Sequence, residues 1–198
     1  MKKDTEEVIR AFIAVELPKE IHENLKKLQN DMKNSLPDVR WVKYGNVHLT
    51  LKFLGDTNVS KIDAIGKALQ DIANEFSPFA LSLAGIGAFP NSRKPSVVWT
   101  GIEKGADEVS RLADMVESAM EKFGFPREKR PFKPHLTIGR VREINHPSVM
   151  MKTLENPNVG DVGEFTVDKV CLIKSQLDTA GSIYTTLFEA LFESANGL

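Results

Sequence analysis

Cysteine is nearly absent from this sequence of 198 residues. Cys171 stands alone, which excludes an internal disulfide framework and a thiolate metal cage. No apolar run approaches the roughly 18 residues that a bilayer-spanning helix needs. The opening residues Met1-Lys2-Lys3-Asp4-Thr5-Glu6-Glu7 turn acidic where an export signal would turn apolar, so a soluble, reduced, cytoplasmic protein off the membrane is expected. A large excess of one charge is also missing. The net charge of −1 argues against a generic polyanion binder. There is no glycine-rich strand-to-helix turn, which excludes a dinucleotide-binding fold, and no heptad seam, so a monomer is expected. Nor is there a stretch rich in Pro, Gly or Ser that would separate independent domains, so residues 1–198 read as one domain.

The chain does have enough apolar residues, 41%, to exclude disorder. Val8 to Val15 is dense in Ile, Val and Phe and reads as a buried strand. After Pro18, Ile21, Leu25, Leu28 and Met32 recur at helical spacing, until Pro37. Strands are expected at Trp41-Val42 and at Val47 to Leu54, with Gly45-Asn46 as the turn between them. A helix capped by Asn58 or Ser60 follows, with Ile62, Ile65, Leu69 and Ile72 on one side. Phe79 to Phe89 and Val97 to Ile102 are strand-like, and a helix runs from about Asp107 to Phe123. Strands at His135 to Val141, Phe165 to Lys174 and Ile183 to Phe188, with a short helix near Ser148 to Leu154, complete the pattern. Strand, helix and strands recur in each half. The expected architecture is α+β, with two related lobes.

Positive charge is gathered in two windows. From Arg40 to Lys52 there are three basic residues and no acid, and from Lys122 to Arg142 seven basic residues face only Glu128. Such focusing suits either two solvated faces or an anion site. Lys43, Lys52, Arg130 and Lys133 are candidates for steering a polyanion, and Trp41, Tyr44 and Phe53 for stacking bases or filling core.

Two nearly identical words decide the chemistry: His48-Leu49-Thr50-Leu51 and His135-Leu136-Thr137-Ile138. A given histidine here has a threonine two places on about 5% of the time, so two of four doing so by chance is roughly a 1–2% event. In a strand, alternation puts His and Thr on one face, about 7 Å apart, and the aliphatic residues on the other. Two such strands brought together surround one small volume with two imidazoles and two hydroxyls. One neutral imidazole can take a proton from an attacking hydroxyl or water, and one protonated imidazole can give a proton to a leaving oxygen. The hydroxyls can donate to non-bridging phosphate oxygens, where charge accumulates. No third ligand stands at zinc spacing, so neither a metal nor a cofactor is expected. Which histidine is acid and which is base stays open on these residues alone. Arg140 falls an odd step from His135 and Thr137, and a bulge or strand end at Gly139 would bring it to their face.

With these words and their flanks, the sequence resembles the two-histidine (2H) phosphoesterase superfamily, and within it the RNA 2′,3′-cyclic phosphodiesterases, also called 2′-5′ RNA ligases. The resemblance covers nearly the whole chain. It includes Arg10 to Pro18, Trp41-Val42-Lys43, His48 to Gly55, Gly87 to Pro90, Pro95 to Trp99 and Pro131 to Arg140. It implies two pseudo-symmetric lobes, each an antiparallel sheet with helices on its outer face, with the HxTx words lining a central cleft. It implies metal-independent hydrolysis of RNA 2′,3′-cyclic phosphate ends, tRNA fragments among them, to 2′-phosphates. In that scheme His48 is the general acid, His135 the general base, and Thr50, Thr137 and Arg140 bind the phosphate, while Phe53 contacts the terminal nucleoside. The reverse reaction would join RNA ends through a 2′-5′ linkage. The alternatives are a phosphodiesterase for linear 2′-5′ oligonucleotides or small cyclic nucleotides, and a non-catalytic RNA-end-binding protein.

Overall fold

The computed structural model describes residues 7–157, 159–179 and 181–193. The first apolar run is strand β1 (Val8–Val15), and its residues from Ala11 to Val15 are all buried, as befits a strand covered on both faces. Helix α1 (Lys19–Met32) buries Ile21, Leu25 and Met32 as the spacing predicts, and also Gln29. Gln29 is buried because its amide nitrogen donates to the carbonyls of Val42 and Ile138, both at 3.0 Å, a satisfied pair of bonds that apolar counting does not register.

Next come β2 (Val39–Trp41) and β3 (Leu49–Asn58). β3 starts two residues later than Val47 and runs on to Asn58, which leaves His48 at its mouth. Of the two cap candidates, Asn58 acts: its side chain accepts from the Ser60 amide at 2.9 Å, opening a 3₁₀ turn ahead of α2 (Ile62–Ala73). β4 (Phe79–Phe89) and β5 (Val97–Ile102) have the expected bounds. The rest is α3 (Ala106–Glu121), β6 (His135–Val141), α4 (Pro147–Glu155), β7 (Asp161–Val167), β8 (Lys169–Asp178) and β9 (Gly181–Leu191).

The expected strand Phe165 to Lys174 is in fact two strands in different sheets. The chain breaks at Asp168, whose carbonyl accepts from the Phe192 amide at 2.7 Å, and crosses from one sheet to the other there. One sheet has the order β3-β1-β8-β9 and the other β2-β6-β5-β4-β7, with every pairing antiparallel. The two lobes therefore do not coincide with the two halves of the chain. β2, β4 and β5 leave the first half for the second sheet, and β8 and β9 return to the first.

Helices cover one face of each sheet. α2 packs on β8 and β9 so closely that a Cβ at Gly66 would lie 2.7 Å from the Phe188 ring. α3 lies against α2 and β3, α1 against β7 and α4 against β4. The opposite face of the first sheet carries a small separate cluster of Phe12, Ala14, Cys171 and Ile173, with Tyr184 packed on it. β3 and β6, one from each sheet, touch where the lobes meet.

Candidate active site

Each HxTx word is held in the same way. Leu49 and Leu51 of the first are buried in the core, as are Leu136 and Ile138 of the second. Thr50 and Thr137 alternate to the helix-free face and are half-buried there. Neither threonine hydroxyl has a protein partner among the described residues.

A bulge then interrupts each strand at the fourth residue of the word. β3 pairs Thr50 with Ala14 and Lys52 with Ile13, leaving Leu51 extra. β6 pairs Thr137 with Trp99 and Gly139 with Val98, leaving Ile138 extra. The extra residue flips the parity beyond it, so Lys52 and Gly139 turn inward and are buried, whereas Phe53 and Arg140 turn outward and are exposed. Both residues five places after a histidine thus share the face of that histidine and its threonine. The parity objection to Arg140 falls, with the bulge one residue earlier than Gly139. Arg140 forms no ion pair among the described residues.

The histidines are pinned alike as well. His48 Nδ1 lies 3.0 Å from the carbonyl of Asn46, and His135 Nδ1 lies 2.6 Å from that of Lys133, two residues back in each case. A carbonyl only accepts, so each Nδ1 carries a proton, and the neutral ring keeps its lone pair on Nε2. The His48 ring stacks on Phe12 with centroids 4.5 Å apart, and Tyr184 meets its edge at 5.2 Å. Phe89 stands edge-on to His135 at 4.9 Å. The aromatic walls strip water from His48. Burial lowers its pKa to about 4, against the opposing bond to Asn46, and the neighbouring charge of His22 lowers it further. His48 in the unliganded protein is therefore a neutral imidazole at pH 7.

Phe12, Tyr184 and Phe89 were not legible as site residues, because an aromatic in an apolar strand reads as core filler. The pinning carbonyls carry no side-chain signal at all. Lys52 corrects a second expectation, since it does not steer anything. It is buried, and its Nζ donates to Glu117 Oε2 at 2.7 Å and to the Pro126 carbonyl at 2.9 Å. Trp41 packs half-buried against the core beside Gly139 rather than standing free. Lys43, Arg130 and Lys133 are exposed. His146 binds Asp38 at 3.2 Å, on the surface.

Among the described residues, the ligand atoms of Glu16, Cys171 and Glu189 lie within 4.8 Å of one another. The Lys169 ammonium stands 2.5 Å from Glu189 and 3.9 Å from Glu16, so the chain supplies its own cation there. Burial pushes the Cys171 thiol up to about 12, with Glu16 adding to the rise, so it is protonated and a poor ligand.

Two helix-backed sheets that each present a pinned histidine and a free threonine hydroxyl define a two-histidine phosphoesterase. The LigT like Phosphoesterase family profile matches the chain twice, over residues 15–99 and 101–184, once around each HxTx word, and the chain belongs to that family. RNA 2′,3′-cyclic phosphodiesterase of Archaeoglobus fulgidus is 36% identical over 188 residues, covering 90% of this chain and 98% of that protein. Its counterpart from Methanothermobacter thermautotrophicus is 34% identical over 179 residues, covering 90% and 96%. Among solved structures, a protein of Thermus thermophilus superposes with a TM-score of 0.78 at 27% identity, covering 95% of this chain and all of its own. E. coli LigT complexed with 3′-AMP gives 0.76 at 26% identity, again covering 95% of this chain and all of its own.

Proposed function

We propose that this chain hydrolyses the 2′,3′-cyclic phosphate at the end of an RNA, tRNA fragments included, leaving a 2′-phosphate, and that it works as a monomer. The observation that carries the reading is the matched pinning of His48 and His135 through Nδ1, which leaves two Nε2 atoms for proton transfer. The names of the relatives supply the substrate class.

His135 Nε2 takes a proton from water as the water oxygen bonds to phosphorus. The bond from phosphorus to the ribose 3′ oxygen breaks, and that oxygen takes the proton on His48 Nε2. Thr50 and Thr137 donate to the non-bridging oxygens, the Arg140 guanidinium pairs with them, and Phe53 lies against the terminal nucleoside. The reaction leaves His135 protonated and His48 neutral, and exchange with solvent resets both.

An acid with a pKa of about 4 is mostly unprotonated at pH 7, so His48 needs the substrate to charge it. The phosphodiester brings a negative charge into a poorly solvated pocket, which favours the imidazolium. Binding is then coupled to proton uptake, and affinity falls as pH rises. Calorimetry of a nucleoside 2′,3′-cyclic phosphate binding to the His135→Ala variant, run at pH 6 in buffers of different ionisation enthalpy, should show up to one proton taken up. Zero uptake or release would contradict the role of His48.

The activity itself is tested with a short RNA bearing a cyclic end, incubated with the protein and a chelator, the end group being assigned by phosphorus NMR. A 2′-phosphate is expected. An intact cyclic end, or a 3′-phosphate, would overturn the reading.

A further inference from the structure

The loop that presents His48 also presents Tyr44, which the hydrolytic site leaves unused. The Tyr44 side chain is 49% exposed. It is not idle surface, because two groups converge on its ring. Lys26 Nζ stands 5.6 Å from the ring centroid, and the His22 ring lies 5.8 Å from it. On its α1 side, Tyr44 forms one wall of a depression of about 390 Å³, within the range of small-ligand sites. Glu23, Lys26, Lys27, Asn30 and Asp31 line the rest of it. Lys26 and Lys27 form no ion pair among the described residues.

We infer that this depression binds the base of the second nucleoside from the RNA end, stacked on Tyr44. The inference rests on the proposed reaction, which also gives its direction. His48 protonates the ribose 3′ oxygen, so the ribose lies on the His48 side of phosphorus and the strand leaves the cleft past that loop. Tyr44 is four residues from His48, a reach of at most about 14 Å. Single-stranded nucleic acid sites combine an aromatic ring for a base with cations for the backbone, and the Lys26 ammonium that lies over the Tyr44 ring would turn to the backbone as a base stacks. The Glu23 and Asp31 carboxylates in the same depression would repel a phosphate, but they can accept from a base edge, and the Asn30 amide nitrogen can donate to one. The depression is therefore a base site, with Lys26 at its phosphate-facing rim. The enzyme would then prefer RNA ends to cyclic mononucleotides.

The test compares a trinucleotide ending in a 2′,3′-cyclic phosphate with the matching nucleoside 2′,3′-cyclic phosphate. For Tyr44→Ala, kcat/KM on the trinucleotide should fall about 5- to 150-fold, the range for losing one stacked base, through KM. The mononucleotide should be cleaved as by the parent, and Tyr44→Phe should restore the trinucleotide rate. An equal loss on both substrates would make Tyr44 a support for the His48 loop, and no loss on the trinucleotide would remove it from binding; either overturns the inference. Affinity for a fluorescent trinucleotide ending in a 2′-phosphate gives a readout free of turnover. If the parent fails to cleave either substrate, the hydrolytic reading falls, while the affinity of Tyr44→Ala, unchanged or reduced 5- to 150-fold, still decides on the base site.

Discussion

His48 is a half-buried neutral imidazole that has to become an acid, and its surroundings make that change costly in the unliganded protein. Its pKa of about 4, against 6.5 for a free imidazole, also bears on stability. The unfolded chain binds a proton there between pH 6.5 and 4 while the folded one does not. The contribution is complete above pH 6.5, is lost as pH falls through that window, and amounts to about 3 kcal/mol. Denaturant titrations should show His48→Gln losing less stability than the parent between pH 7 and pH 4, and identical slopes for the two proteins would contradict the burial. At this scale the sequence was informative where residues repeat. The two His-Thr pairs stand out because each is the other's copy. Phe12, Phe89 and Tyr184 do not repeat in the same way, and nothing in an apolar strand distinguishes a ring that walls a histidine from one that fills core.

At the scale of elements, strands and helices with regular periods were legible, and irregularities were not. The matched bulges at Leu51 and Ile138 leave no compositional mark, yet they turn Phe53 and Arg140 outward and Lys52 inward. Lys52 looked like a solvated cation because alternation without a bulge would have exposed it. Instead its ammonium ties β3 to Glu117 of α3 and to the Pro126 carbonyl, at the start of the segment leading to His135, while Glu117 also accepts from the Glu128 amide. Lys52→Met should cost about 3–5 kcal/mol, because it strands a mostly buried carboxylate. Adding Glu117→Leu should recover part of that loss, a coupling that a double-mutant cycle in denaturant would reveal. Additive losses would contradict the clamp. Gly139 is fixed in another way: a Cβ there would lie 2.3 Å from Val39 Cγ1. Gly139→Ala should therefore push β2 off β6 and cost about 1–3 kcal/mol, and an unchanged midpoint of unfolding would contradict that packing.

For the whole molecule, the duplication legible in the two words is also seen by the family profile, which matches each half once. What the sequence could not show is the exchange of strands between the lobes, since period-2 alternation says nothing about which sheet a strand joins. β1 lies between β3 from its own half and β8 from the other, and β2 pairs only with β6. Separately expressed halves cut near residue 104 should each remain unfolded by circular dichroism; a folded half would contradict the exchange. The same architecture brings one histidine from each sheet to the strands that meet, β3 and β6. The central claim is that these two histidines act as a pair with opposite protonation. It is tested most directly by the pH dependence of kcat/KM on a cyclic-ended RNA for the parent, His48→Ala and His135→Ala. The account predicts a bell for the parent and losses of about 10²–10⁴-fold in each variant. His48→Ala should lose the alkaline limb and His135→Ala the acidic one. A variant within tenfold of the parent, or two variants that each keep the full bell, would contradict it.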